Sequence, residues 1–445
     1  MKIVSVKELG QDAVAKLLKK KSFDELELSP RIRAANREIF GADYTAAELT
    51  RKITGDVRRE GDAAVCRYTR LIDKVEVEPK DFLVTEEEFA AARAKADAKI
   101  TDALKKAVDN VRRYHKEQKQ NSWFTFRDKG AMLGQSLVPL ERVGIYVPGG
   151  TAAYPSSVVM NAVPAAVAGV GEIIMCVPPK NGGINPYVLI AAELAGVNKI
   201  YKIGGAQAIA AMAFGTDTVP KVDKITGPGN IFVTLAKKEV YGHTDIDMLA
   251  GPSEILIIAD ESANIRYAAA DMLSQAEHDT MATSILITTD EKAAQKIAAE
   301  AEAQLAKLPR REIAAAAIEQ NGLIVVAENL DQAVLLANVA APEHLEVLTK
   351  EPTALLPFIK NAGAIFLGEH SPEPLGDYLA GPSHVLPTGG TARYYSVLNV
   401  ETFMKRVSVI SYTKTALQSA SDDIITLAET EGLLAHANAI KLRRE

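Results

Sequence analysis

From residue 143 onward, short β-branched runs alternate with alanine-rich stretches, and no other feature restricts the fold so strongly. The runs fall at 143–147, 173–177, 199–203, 255–259, 284–288, 323–326 and 364–367. Each is too short for a stable helix and too continuously apolar for a half-exposed strand, which is the pattern of a strand buried on both faces. Strands separated by helical segments build parallel sheets covered by helices. This many strands fit one large sheet or two smaller ones. The segments Thr226-Gly227-Pro228-Gly229-Asn230 and Ala250-Gly251-Pro252-Ser253 punctuate the chain, and favour two α/β units.

The flanks differ in texture. The first part of the chain is charged and helical: Thr85-Glu86-Glu87-Glu88 is a helix cap, and the pattern after it runs to Tyr114 without proline or glycine. After about Asn399 the chain becomes a polar, helical tail, too small to form a core alone and therefore expected to dock elsewhere. The length of 445 residues suits two or more domains. A hydrophobic fraction of 47% and a charged fraction of 24% suit a soluble globular protein.

A formal charge of -6 gives no overall electrostatic reason to bind nucleic acid or an anionic membrane. Met1-Lys2-Ile3-Val4-Ser5 leads to Lys19-Lys20-Lys21 without the apolar core of a secretory signal, so a cytoplasmic location is expected. Residues 158–177 are the most apolar stretch, but Pro164, Gly169, Gly171 and Glu172 interrupt them; a helix followed by a strand is expected there, not a membrane span. Cys66 and Cys176 are too few for a disulfide framework. Cys176 lies in the run Ile173-Ile174-Met175-Cys176-Val177 and reads as core.

Four polar segments carry the chemistry: Gln275-Ala276-Glu277-His278, Pro342-Glu343-His344-Leu345, Gly376-Asp377-Tyr378 running on to His384, and Glu431 with His436. They hold four of the chain's seven histidines, together with carboxylates that complete either a metal site or a proton-transfer site. A helix over 264–277 puts Gln275 and His278 on one face, with Asp271 on the same side; an ordinary polar helix face looks the same. Pro342 suits the first turn of a helix, where the helix-start charge favours an ionised Glu343 and a neutral His344, the states two general bases need. The glycine and proline around Asp377 and His384 predict a loop. Glu431 and His436 cannot share an ideal helix face, so either the chain bends at Gly432 or the two are unrelated surface residues.

Three glycine turns follow strands: Gly144-Ile145-Tyr146-Val147-Pro148-Gly149-Gly150, Gly204-Gly205-Ala206-Gln207 and Gly227-Pro228-Gly229-Asn230. The first is not a dinucleotide fingerprint, since its spacing differs and Pro148 lacks an N–H donor. Three turns at the carboxyl edge of one sheet nevertheless favour a ligand crevice.

On these motifs, with Ala250-Gly251-Pro252-Ser253-Glu254 and Ala435-His436, the chain resembles the histidinol dehydrogenase family over nearly its whole length. The resemblance implies NAD-dependent oxidation of L-histidinol to L-histidine through L-histidinaldehyde, the last steps of histidine biosynthesis, with one zinc ion per site. It implies zinc ligands at Gln275, His278, Asp377 and His436, and an acid/base pair at Glu343 and His344. Substrate contacts fall at Ser253, His344, His384 and Glu431 as well as at the metal ligands, and cofactor contacts at Tyr146, Gln207 and Asn230. The implied fold is two incomplete Rossmann-like units with small N- and C-terminal helical segments: 1–27, then 28–143 with 254–398, then 144–253, and 399–445. It further implies homodimers in which the C-terminal segment completes the partner's site.

Chemically, His344 is expected to take the alcohol proton as hydride leaves, and Glu343 to activate water for the aldehyde step, since neither cysteine looks placed to form a thiol adduct. Two rivals compete. A zinc hydrolase using Glu343 as base has no use for the glycine turns, and a non-catalytic metal-binding protein has no use for Glu343 and His344.

Overall fold

The computed structural model describes residues 1–20, 30–149, 153–180 and 183–444. Gly150 and Lys21, named above, lie outside them. The described strands are β1 (Lys2–Ser5), β2 (Trp123–Phe126), β3 (Met132–Pro139), β4 (Arg142–Tyr146), β5 (Glu172–Cys176), β6 (Lys199–Tyr201), β7 (Lys224–Thr226), β8 (Asp245–Ile246), β9 (Glu254–Ala259), β10 (Thr283–Thr288), β11 (Gly322–Val326), β12 (His344–Leu348), β13 (Ala364–Leu367) and β14 (Met404–Ser411).

They form two parallel sheets and one antiparallel sheet. The six-stranded sheet has the order β1-β11-β10-β9-β12-β13 and the five-stranded one β6-β5-β4-β7-β8, with every ladder parallel. The third, β14-β3-β2, is antiparallel. Each expected apolar run is a strand, and residues 158–177 are the expected helix and strand, Pro155–Ala168 and Glu172–Cys176. Among the described residues no helix is long and apolar enough to cross a membrane.

Successive strand side chains point to opposite faces, and the cores divide accordingly. On the five-stranded sheet, Val143, Ile145, Ile173 and Met175 join one cluster, while Tyr146, Ile174 and Cys176 join another. On the six-stranded sheet, Leu256, Ile258, Ile285 and Ile287 face one way; Ile255, Ile257 and Leu286 face the other. Both sheets are thus sandwiched between helices, which is why their strands read as continuous apolar runs.

Several expectations need correction. The chain opens with a strand, β1, before its first helices. The cap at Thr85 forms as a reciprocal capping box with Glu88, but the helix stops at Lys95 and restarts at Ala98 because Asp97 caps a second one. Leu49, Ile53 and Val57 pack in the core beside Tyr146, and Val108 and Val111 in the one beside Val143. The helices of 46–116 therefore belong by packing with the five-stranded sheet, although the expected division grouped them with 254–398. The tail after Asn399 is not wholly helical, since β14 pairs with β3 before the helices Lys414–Thr430 and Leu434–Lys441.

Candidate active site

Parallel strands give a sheet a carboxyl edge and an amino edge, and the site residues use both. Tyr146 ends β4, Gly205 and Gln207 open the helix after β6, and Asn230 caps the helix after β7; all lie at the carboxyl edge of the five-stranded sheet. Glu254 begins β9 and His344 begins β12, while Gln275 and His278 lie at the end of the helix that returns from β9 to β10. These occupy the amino edge of the six-stranded sheet. The edges meet where Ser157, on the first turn after β4, brings Oγ within 3.5 Å of His384 Nε2.

The segment around Pro342 is a strand, not the expected helix start. Ala341 adopts a left-handed conformation at φ 49° and its N–H closes the preceding helix on Ala337. Pro342 therefore follows a helix end, a position as usual for proline as a helix start. Neighbouring ladders on both sides then draw His344–Leu348 into the sheet.

Glu254 holds both Glu343 and His344 through its backbone. Its N–H donates to Glu343 Oε2 at 2.8 Å, and its carbonyl lies 2.9 Å from His344 Nδ1. Because a carbonyl only accepts, Nδ1 carries the proton and Nε2 keeps its lone pair; Nε2 is buried and unpartnered. Burial pushes His344 down to about 4, so the imidazole is neutral, as expected, although burial and not a helix start is the cause. The same burial raises Glu343 well above the usual carboxylate range, with the charges of Glu254, Asp377 and Glu373 adding to it and the Glu254 N–H opposing it. The expectation that helix charge keeps Glu343 readily ionised is thus overturned. A raised carboxyl is the stronger base once ionised. Its 3.7 Å approach to His344 Nδ1 is not an ion pair, since the imidazole is neutral.

Asp377 lies in a short helix, Glu373–Tyr378, where a loop was expected. Pro374 falls in its first turn, where the missing N–H costs no helix bond. Four residues apart, Glu373 and Asp377 share a face, and with His278 they place one ligand atom each within 4.8 Å of one another. Ser274 Oγ donates to Glu373 Oε2 at 3.0 Å, tying this helix to that of Gln275. Burial favours the neutral acid at Asp377, but the adjacent imidazole of His384, with His344 and His278 beyond, outweighs it and holds the carboxyl below its usual range. His384 Nδ1 lies 3.4 Å from Asp377 Oδ1. Gln275 is fully buried, and neither end of its amide has a partner, an arrangement that costs free energy unless a ligand completes it.

At the carboxyl edge of the five-stranded sheet, the Tyr146 hydroxyl accepts the Gly205 N–H at 3.0 Å. Gln207 is fully buried. Asn230 Oδ1 caps Phe232 and Val233 N–H, so its side chain has a local task as well. Gly227 has φ 112°, and a Cβ there would meet the Tyr146 carbonyl oxygen at 2.1 Å; only glycine lets these two turns touch. Ser253 is half-buried just before β9.

Glu431 and His436 are not brought to this cluster within the chain. Gly432, at φ 75°, makes the expected bend between the two C-terminal helices, and both residues are exposed. Sequence reading missed Glu373 and Glu254. The spacing of Glu373 from Asp377 was a usable signal, masked by the glycine and prolines nearby; Glu254 acts through its backbone, which leaves no trace in residue type.

Two parallel sheets, a buried Glu–His pair and a set of metal-type donors define an enzyme site of the α/β class. A sequence profile of the family described as histidinol dehydrogenase matches residues 35–444, and the chain belongs to that family. It is 58% identical over 404 residues to histidinol dehydrogenase of Heliobacterium mobile, covering 91% of this chain and 95% of that one. It is 55% identical over 392 residues to that of Clostridium acetobutylicum, covering 88% and 90%. The crystal structure of histidinol dehydrogenase from Elizabethkingia anophelis superposes with a TM-score of 0.89 at 36% identity, covering 100% of this chain and 98% of that one. The activity is the two-step oxidation of histidinol in histidine biosynthesis, and the hydrolase reading is not favoured.

Proposed function

We propose that NAD receives both hydrides, that Tyr146, Gln207 and Asn230 bind it, and that zinc is held by Gln275, His278, Asp377 and, from a partner subunit, the residue His436. The observation that carries this reading is the pairing of two bases, pinned by Glu254 at one sheet edge, with glycine turns at the edge opposite. A metal fits the donors present: Gln275 has two orphaned buried amide atoms, and His278, Glu373 and Asp377 converge. Nitrogen and oxygen ligands of this kind suit zinc. When bound, zinc orients the imidazole and amine of histidinol as a template, with Lewis-acid polarisation of the alcohol as its competing role.

In the first oxidation His344 Nε2 takes the alcohol proton while the carbinol C–H leaves as hydride to NAD, giving the aldehyde. Glu343, ionised, takes a proton from water as its oxygen adds to the aldehyde carbon, and His344 Nε2 returns the proton gained in the first step to the carbonyl oxygen, giving the hydrate. The hydrate then loses a second hydride to a second NAD while the freed His344 Nε2 takes one hydroxyl proton, and the acid formed ionises to the carboxylate. Ser253, His384 and Glu431 bind and orient the substrate.

The dimer reading has two supports. His436 and Glu431 stand exposed on their own chain, and the arm that carries them leaves Ile410, Leu427 and Leu434 more than half exposed, at 73%, 66% and 67%. Apolar surface of this kind on a projecting segment is typical of a subunit interface. The two sheets are proposed as two domains, with 144–253 on the cofactor side and the chain after Asn399 as the shared arm. A cytoplasmic location completes the reading.

The direct test is NADH yield. Limiting L-histidinol with excess NAD should give two NADH and one L-histidine per substrate; one NADH with aldehyde accumulating, or no reduction of NAD, overturns the proposal.

A further inference from the structure

Asp73, far in sequence from every glycine turn, meets the cofactor side of the site. Residues Thr69–Asp73 form one turn of π-helix, ended by Lys74 at φ 59° in the left-handed region. Such turns are uncommon and recur at functional sites. Gln207 Nε2 donates to Asp73 Oδ2 at 3.2 Å. A carboxylate only accepts, so this partner fixes which end of the Gln207 amide points where. The amide oxygen, Oε1, is left buried with no hydrogen-bond partner. A Cβ at position 205 would lie 2.7 Å from that oxygen, so only glycine fits beside it, and the Gly205 N–H is itself held by Tyr146.

We propose that Asp73 is a positioning residue for the cofactor: by holding Gln207 Nε2 it presents Gln207 Oε1 as an acceptor to an N–H or O–H of bound NAD. The inference rests on the reading of Gln207 as a cofactor contact. An orphaned buried acceptor is costly in the free protein and is satisfied when a donor arrives; without Asp73 the amide is free to turn its NH₂ end to the ligand. Burial pushes Asp73 up to about 6, against the hydrogen bond from Gln207, so near neutral pH the group is the ionised acceptor this geometry requires.

The test is a double-variant cycle on the intact protein, reading the NAD Kd by calorimetry, with kcat and the KM for NAD beside it. Gln207→Leu should weaken NAD binding roughly tenfold, the scale of one lost hydrogen bond. If it does not, the cofactor reading of Gln207 fails, and the proposal with it. Asp73→Ala should raise the NAD Kd by roughly 5- to 30-fold with kcat at saturating NAD nearly unchanged. Introduced into Gln207→Leu, the same change should cost less than about twofold more, because its effect runs through an amide already removed. Equal losses in both backgrounds, or none in either, overturn the proposal while leaving the Gln207 reading intact. Should Asp73→Ala not fold, Asp73→Asn carries the same cycle. Its amide accepts either orientation of Gln207, so it should weaken NAD binding several-fold in the native background only, and native affinity in this variant overturns the proposal.

Discussion

Glu254 and His344 are joined by a 2.9 Å hydrogen bond from the imidazole Nδ1–H to the Glu254 carbonyl, and that bond decides which nitrogen of the histidine can work. With Nδ1 committed to the backbone, Nε2 is the only basic atom His344 can offer. The same residue donates its N–H to Glu343 Oε2. The two proposed bases are thus hung from the two ends of one residue at the start of β9, an inner strand flanked by β10 and β12.

The cysteines should be dispensable. Burial raises the thiols of both Cys66 and Cys176, which suppresses the thiolate that would attack an aldehyde. Cys176 packs in the core of the five-stranded sheet, away from the amino edge where His344 stands. The Cys66→Ser, Cys176→Ala double variant should oxidise histidinaldehyde at close to the native rate. A loss of the aldehyde step alone would point to a covalent thiohemiacetal in place of a hydrate.

Metal removal should stop turnover and spare the fold. Separate apolar clusters line both faces of each parallel sheet, and neither sheet depends on the metal donors for its core, unlike a small zinc domain that unfolds when stripped. Chelation should abolish NADH formation and leave the far-ultraviolet circular dichroism near native, with zinc restoring activity. Collapse of the spectrum on chelation would show that the metal is structural.

The proposed sharing of the site between subunits can be tested by mixing inactive subunits. His278→Ala chains and His436→Ala chains, reversibly dissociated and mixed, should form heterodimers in which one site carries both changes and the other neither. About half of the native dimer's activity should return per heterodimer. Verified heterodimers without activity would mean that His436 serves its own chain.

Much of this architecture was legible because the physics behind it is local. Strands such as Ile255–Ala259 within β9 announce themselves by unbroken apolar sequence, and Thr85 with Glu88 by the reciprocity of their cap. What could not be read depends on tertiary choice. Pro342 suits a helix start and the residue after a helix end equally well, and the left-handed Ala341 decides between them. Glu373-Pro374-Leu375-Gly376 looks like a loop until its helix packs on that of Gln275. Met404–Ser411 becomes a strand only because β3 offers an open edge. The upward shift of the Glu343 carboxyl likewise follows from burial, which no residue type discloses.

The most direct measurement assays histidinol and histidinaldehyde separately in Glu343→Gln and His344→Asn. If Glu343 acts only on the water of the second oxidation, Glu343→Gln should slow aldehyde oxidation by roughly 10²- to 10⁴-fold, the range for a lost general base, and alcohol oxidation far less. His344→Asn should impair the alcohol step more strongly than Glu343→Gln does. Equal losses at both steps in both variants would contradict the division of labour that the Glu254 clamp implies.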